Sequence, residues 1–187
     1  MNPHEIKQHI IEVSSELFYK NGYCGTSITE IIEKVSVEAP IFYDNFESKE
    51  AICVAFLEKK NEKFLRDIGE FLEGKSFGNH SVISVFDFLE ILYDSHEFNG
   101  CWRIKTISDI PKNNLVLKSA IQKHKENFLL FLEELIATNK PDLTDKECKI
   151  LSKQVYVLYE GAISESFLHN EKWPIATAKA LCERIVK

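Results

Sequence analysis

Residues 17–50 read LFYKNGYCGTSITEIIEKVSVEAPIFYDNFESKE, and the punctuation of this stretch decides the fold. Lys20-Asn21-Gly22 supplies a basic last turn and a glycine stop for the helix that precedes it. Ser27 and Glu30 stand at the spacing of a capping box and open a short helix with Ile28, Ile31, Ile32 and Val35 on its inner face. After Ser36-Val37 comes a second short segment, Glu38-Ala39-Pro40-Ile41-Phe42-Tyr43, in which Pro40 fits a helix only within its first turn. Ser48 then caps a long helix carrying Ile52, Phe56, Lys60 and Phe64.

Working outward, Asn2, Pro3 and Glu5 form a start signal for a first helix, in which Ile6, Ile10, Val13 and Leu17 make the apolar stripe. Downstream, the fourth helix reaches Phe71-Leu72 before the glycines at 74 and 78. A fifth runs from about Ser81 to Ser95 on Val82, Val85, Leu89 and Leu92. The stretch from Asn99 to Ile107 leaves two readings open. Asn99-Gly100 followed by alternation signals a hairpin, yet no equally alternating strand precedes it, which favours a helix. Leu117, Ile121, His124, Phe128, Phe131 and Leu135 define a seventh helix, closed by Asn139-Lys140-Pro141. A second capping box, Thr144 to Glu147, opens a helix reaching about His169, and Trp173-Pro174 starts a last one ending in Val186. The chain reads as all-α, with about nine helices and no internal repeat. Its 7 Gly and 5 Pro in 187 residues are too few for the closely spaced turns of a sandwich or barrel.

The combination of Leu17-Phe18, Gly22-Tyr23, Thr26-Ser27-Ile28, Ile31, Val37, Tyr43, Phe46 and Ser48-Lys49-Glu50 resembles the N-terminal domain of the TetR family of one-component transcriptional regulators, over residues 5–52. The resemblance implies a helix-turn-helix DNA-binding domain over 1–47, with the motif at about 27–46, and a ligand-binding and dimerisation domain over 48–187. It also implies a homodimeric repressor of a palindromic operator on double-stranded DNA, released by a small-molecule effector. Two short helices joined by a tight turn suit that task, because the second can lie in the major groove, about 12 Å wide, while the first crosses the backbone. By the resemblance, residues 38–44 form the recognition helix. The N–H groups of Thr26 and Ser27 would grip one phosphate, and the Tyr43 hydroxyl and Lys49 ammonium two more. Glu38, which opens the helix, is counted in the DNA-binding set, and Ala39, Pro40, Ile41, Asp44 and Asn45 would face bases. Ala39 and Ile41 suit a thymine methyl, Asn45 an adenine edge and Asp44 a cytosine amine. Glu38 and Pro40 depart from the Ser or Thr and the small residue usual in the family.

Charge bears on this reading. The chain carries 29 Asp+Glu against 23 Lys+Arg, a net charge of −6. Residues 1–50 hold four lysines, nine acids and no arginine, a net −5. Either acids at 5, 12, 16, 30 and 33 solvate the first two helices away from DNA, or the head binds DNA weakly or not at all. The second alternative leaves a dimeric helical ligand-binding or protein-interaction protein. Few phosphate contacts predict a shallow salt dependence, at about −0.9 per phosphate in log–log slope.

No Gly-rich phosphate loop, nucleophile elbow or His-Glu-x-x-His appears, so no enzyme, cofactor or metal is expected. His9, Glu12 and Glu16 read as a solvated helix surface. Cys24, Cys53, Cys101, Cys148 and Cys182 are odd in number and widely spaced, which predicts reduced thiols in a cytoplasmic protein. No basic segment followed by an apolar one opens the chain, and the longest apolar run, Ala51 to Leu57, is far short of a membrane span.

In the body, apolar residues between Val155 and Leu168 cover more than one helix face, so that helix must be buried on several sides. The resemblance implies a four-helix dimer interface from about 145–169 and 174–186, with Val157, Gly161, Ser164, Leu168, Ala178 and Leu181 as contacts. Polar residues on apolar stripes, His96 and His124, are ligand candidates or core histidines. Glu160 could meet a cationic ligand or stand as an interface-edge carboxylate. Phe64, Phe86, Tyr93, Trp102, Phe128 and Tyr156 line a cavity or make plain core.

Overall fold

The computed structural model describes residues 2–96 and 98–187. They form α1 (Pro3–Asn21), α2 (Ile28–Val35), α3 (Ala39–Asn45), α4 (Lys49–Glu73), α5 (Asn79–Asp94), α6 (Trp102–Asp109), α7 (Leu115–Asn139), α8 (Asp145–His169) and α9 (Trp173–Ile185), with no strand among the described residues. The caps act as the sequence indicates. Asn2 Oδ1 accepts the Glu5 N–H at 2.9 Å while Glu5 accepts the Asn2 N–H at 2.8 Å. Thr144 and Glu147 do the same for α8. At α2 only half the box forms, with the Glu30 N–H donating to Ser27 Oγ at 3.1 Å. The Glu30 carboxylate accepts from Asn21 Nδ2 instead.

The hairpin reading of 99–107 falls. Gly100 takes φ +68, and a Cβ there would meet the Phe167 ring at 2.8 Å, so this glycine serves a close approach and α6 starts two residues later.

The chain packs as two compact units, Met1–Glu62 with Arg103–His124, and Lys63–Trp102 with Lys125–Lys187. In the first, α1 packs on α2 and α3. Ile10, Leu17, Phe18, Ile31, Phe42, Ile52 and Leu57 are buried. Seven-residue α3 is too short to persist alone, and its Phe42, 0% exposed, anchors it. The same unit buries Arg103, whose Nη2 donates to Asn61 Oδ1 at 2.8 Å, and His124. Burial first, then the Arg103 charge, pushes the His124 imidazole down from 6.5 to about 4.

Folded His124 stays neutral while the unfolded imidazole protonates near pH 6.5, so stability held above pH 6.5 is lost as pH falls toward 4. At pH 5 the expected loss is about 2 kcal/mol. Urea unfolding at pH 7.5 and 5 measures it, and His124→Gln should remove most of the difference. An equal difference in the variant would assign the pH dependence to other groups.

In the second unit α5, α8 and α9 pack together over a core that includes Val85, Phe86, Leu89, Leu132, Ile136 and Val155. Phe128, 0% exposed, is its hub, with ring centroids of Tyr159 at 4.9 Å, Phe64 at 5.1 Å and Tyr156 at 6.0 Å. All five cysteines are free thiols. Burial pushes the Cys53 and Cys182 thiols up to about 12, which leaves both protonated and inert.

Candidate nucleic-acid interface

The turn between α1 and α2 is fixed by hydrogen bonds from both the backbone and side chains. Gly22 ends α1 at φ +75, its N–H donating to Phe18 O at 3.0 Å. Gly25 runs so close to Asn21 O that a Cβ would lie 2.3 Å from it, which rules out any side chain. The Thr26 hydroxyl donates to Gly22 O at 2.7 Å. Lys49, from the first turn of α4, donates to Tyr23 O and Thr26 O, both at 2.8 Å, and its ammonium lies 4.3 Å from the Tyr23 ring centroid.

Two expectations are corrected here. Thr26 is 1% exposed and its N–H points at Tyr23 O at 3.4 Å, so it offers no open donor to a phosphate. Lys49 spends two of its three N–H groups on the turn and acts first as a clamp. Ser27 is exposed, and its hydroxyl oxygen caps α2.

The turn leads through α2 to α3, whose outer face is open. Glu38, Ala39, Pro40 and Asp44 are exposed, as are Ile41 at 38% and Tyr43 at 50%. Pro40 sits in the first turn, where its missing N–H costs nothing. The Tyr43 ring stands edge-on to that of Phe42, with centroids 5.5 Å apart. Asn45 is half-buried and donates from Nδ2 to Ile41 O at 2.8 Å. Its amide is therefore partly spent on its own helix. Of the nine acids, Glu16 pairs with Lys34 at 3.4 Å and Glu12 with Lys59 at 3.0 Å. Glu38, Asp44 and Glu47 remain exposed in and beside α3.

The family model described as bacterial regulatory proteins, tetR family, matches residues 10–56, the segment that holds this turn and helix. The chain carries a TetR-type N-terminal domain. Its relatives include the HTH-type transcriptional repressor NemR of Escherichia coli strain K12, 21% identical over 98% of this chain and 94% of NemR. The repressor DhaR of Mycobacterium sp. strain GP1 is 32% identical over 59% of this chain and 58% of DhaR. The crystal structure of E. coli NemR in its reduced form superposes with a TM-score of 0.84 at 21% identity, covering 98% of each chain. A TetR-family regulator from Streptomyces coelicolor gives 0.83 at 18% identity, covering 98% of this chain and 95% of that one. These structures establish the shared fold. The family and its relatives are transcriptional regulators and not enzymes.

Beyond the TetR-type head, the ligand candidates divide between the two units, His124 in the first and the others in the second. Phe86 and Phe128 are 0% exposed and pack, like Phe64 and Tyr156, ring against ring in the core. Tyr93 lies 4.9 Å from the Phe98 centroid, and Trp102, half-buried, is the first residue of α6. His96 does not continue the apolar line of α5, because the helix ends at Asp94 and His96 is exposed in the turn beyond. Glu160 is corrected as well. Its carboxylate meets Lys125 Nζ at 2.5 Å and accepts from Cys101 Sγ at 3.6 Å, so its charge already has a partner. A groove of about 240 Å³, lined by Lys140, Leu143, Ile150, Leu151 and Ile185, includes none of these candidates.

The expected dimer contacts divide by exposure. Val157 at 66%, Leu168 at 73% and Leu181 at 41% face outward, as does Gly161. Ser164 is half-buried, its hydroxyl donating to Glu160 O at 2.8 Å. Ala178, 5% exposed, is turned into its own unit's core beside Cys182 and drops out of the set. Exposed Ile150 adds to the α8 stripe and Trp173 and Ile185 to that of α9. Ile150, Val157, Gly161 and Leu168 follow one helix face, a signal present in their spacing.

Proposed function

We propose that the chain is a homodimeric, ligand-responsive transcriptional repressor, with residues 1–47 binding a palindromic operator and 48–187 binding the effector and a second protomer. The observation that carries this reading is the pairing of a rigidly clamped turn, 22–26, with a short helix whose Ile41, Tyr43 and Asp44 are open to a groove. A cytoplasmic location fits a DNA-bound regulator, and no described helix is long and apolar enough to cross a membrane. The effector acts by preferring a conformer whose two heads no longer match the half-site spacing, since a ligand that binds both conformers equally shifts nothing.

Exposed Val157, Leu168 and Leu181 support a two-fold interface of α8 and α9. Gly161 supports it too, because a Cβ there would meet nothing within 4 Å, so this chain's own packing does not require glycine. Val157→Lys should therefore yield monomers in analytical ultracentrifugation with little loss of thermal stability, and a weaker, half-site footprint. An undisturbed dimer would place the interface elsewhere. The reading itself is tested by footprinting on the DNA flanking the protein's own gene. An inverted repeat with half-sites about 34 Å apart is expected, and protection without two-fold symmetry contradicts it.

A further inference from the structure

Asp109 is the last residue of α6, where a carboxylate faces the negative end of the helix dipole and is disfavoured. Its surroundings supply the compensation. Oδ2 accepts the Cys24 N–H at 3.0 Å, and the Asp109 backbone oxygen accepts from the Cys24 thiol at 2.8 Å, across 85 residues of sequence. Gly22 makes the approach possible, since a Cβ there would lie 2.6 Å from Oδ2. The turn is thus held through an N–H by an anion from α6 and through two carbonyls by the Lys49 cation from α4. All of these residues belong to the first compact unit. The next residues along the chain are Thr26 and Ser27, the latter the N-cap of α2, which precedes α3.

We propose that Asp109 is a positioning residue for DNA binding, whose carboxylate fixes the α1–α2 turn and through it the start of α2 and the placement of α3. The proposal rests on the DNA-binding reading above. Its sign sets it apart from simple electrostatics. Removing an acid from an acidic head raises its attraction to phosphate, whereas loss of a positioning contact lowers affinity.

Full-length Asp109→Ala and Asp109→Asn lose the same charge, but only asparagine keeps an acceptor oxygen for the Cys24 N–H. On a DNA fragment retained by the wild type, Asp109→Ala should bind roughly tenfold more weakly, with unchanged dimer mass and an unchanged salt slope, because no phosphate contact is lost. Asp109→Asn should stay within about threefold of wild type. Amide exchange over residues 22–27, which needs no DNA, should be faster in Asp109→Ala than in Asp109→Asn. Affinity of Asp109→Ala equal to or above wild type, or unchanged exchange in the turn, overturns the proposal. If the wild type retains no fragment, the DNA-binding claim falls with the reading it rests on, and the exchange result separates that failure from a failure of the clamp.

Discussion

Phe128→Ala should lower the stability of the folded chain by about 3–5 kcal/mol, the range for truncating a buried phenylalanine. The side chain is 0% exposed and touches rings from three directions, Phe64, Tyr156 and Tyr159. Truncation removes those contacts and leaves a void that the three surrounding rings cannot close without leaving their rotamers. Against a typical net stability of about 5–15 kcal/mol, the loss is a large fraction of the whole. Phe128→Leu should cost less than half as much, because it refills most of the volume. Urea unfolding at pH 7.5 reads both. A loss below about 1 kcal/mol for Phe128→Ala would mean that the ring lines open space, and would return Phe128 to the ligand candidates.

Lys49→Ala should reduce operator affinity by roughly a hundredfold. The ammonium makes two charge-assisted hydrogen bonds at 2.8 Å to Tyr23 O and Thr26 O and lies over the Tyr23 ring. Without it the two carbonyls lose their cation and the turn into α2 loosens. Lys49→Met keeps the apolar stem and should fail equally, which assigns the effect to the charge and not to lost packing. The salt dependence discriminates between roles. A clamp lost without a phosphate contact leaves the log–log slope unchanged, whereas loss of a phosphate contact flattens it by about 1. The geometry predicts the unchanged slope, and fluorescence anisotropy over a salt series measures it.

The helices were legible in the sequence because their signals are local. Asn2 with Glu5 and Thr144 with Glu147 close their capping boxes within one turn, and Pro40 falls where an N–H is dispensable. The open residues of α3 were legible to the extent that they lie on one short helix. What escaped depends on distant partners. Asp109 reaches Cys24 across 85 residues, and Lys125 reaches Glu160 across 35, so no spacing rule brings either pair together. Lys49 was visible as a cation, but its engagement with two carbonyls of a turn folded back on it was not. The hairpin signal at Asn99-Gly100 was a true mark of positive φ with a different cause, the Phe167 ring. Ala178 and Leu181 looked alike on α9, and only the packing against α5 and α8 turns the first inward and leaves the second outside.

In the proposed function an acidic head binds specific DNA through a clamped turn and one short helix. A titration of the wild-type protein against labelled fragments flanking its own gene, begun at low salt and repeated up a salt series, tests it most directly. Selective retention of one fragment by two protomers is the expected result, with a shallow salt slope set by few phosphate contacts. Retention of no fragment at low salt, or equal retention of all fragments, would contradict it and leave a helical ligand-binding or protein-interaction protein that has lost DNA recognition.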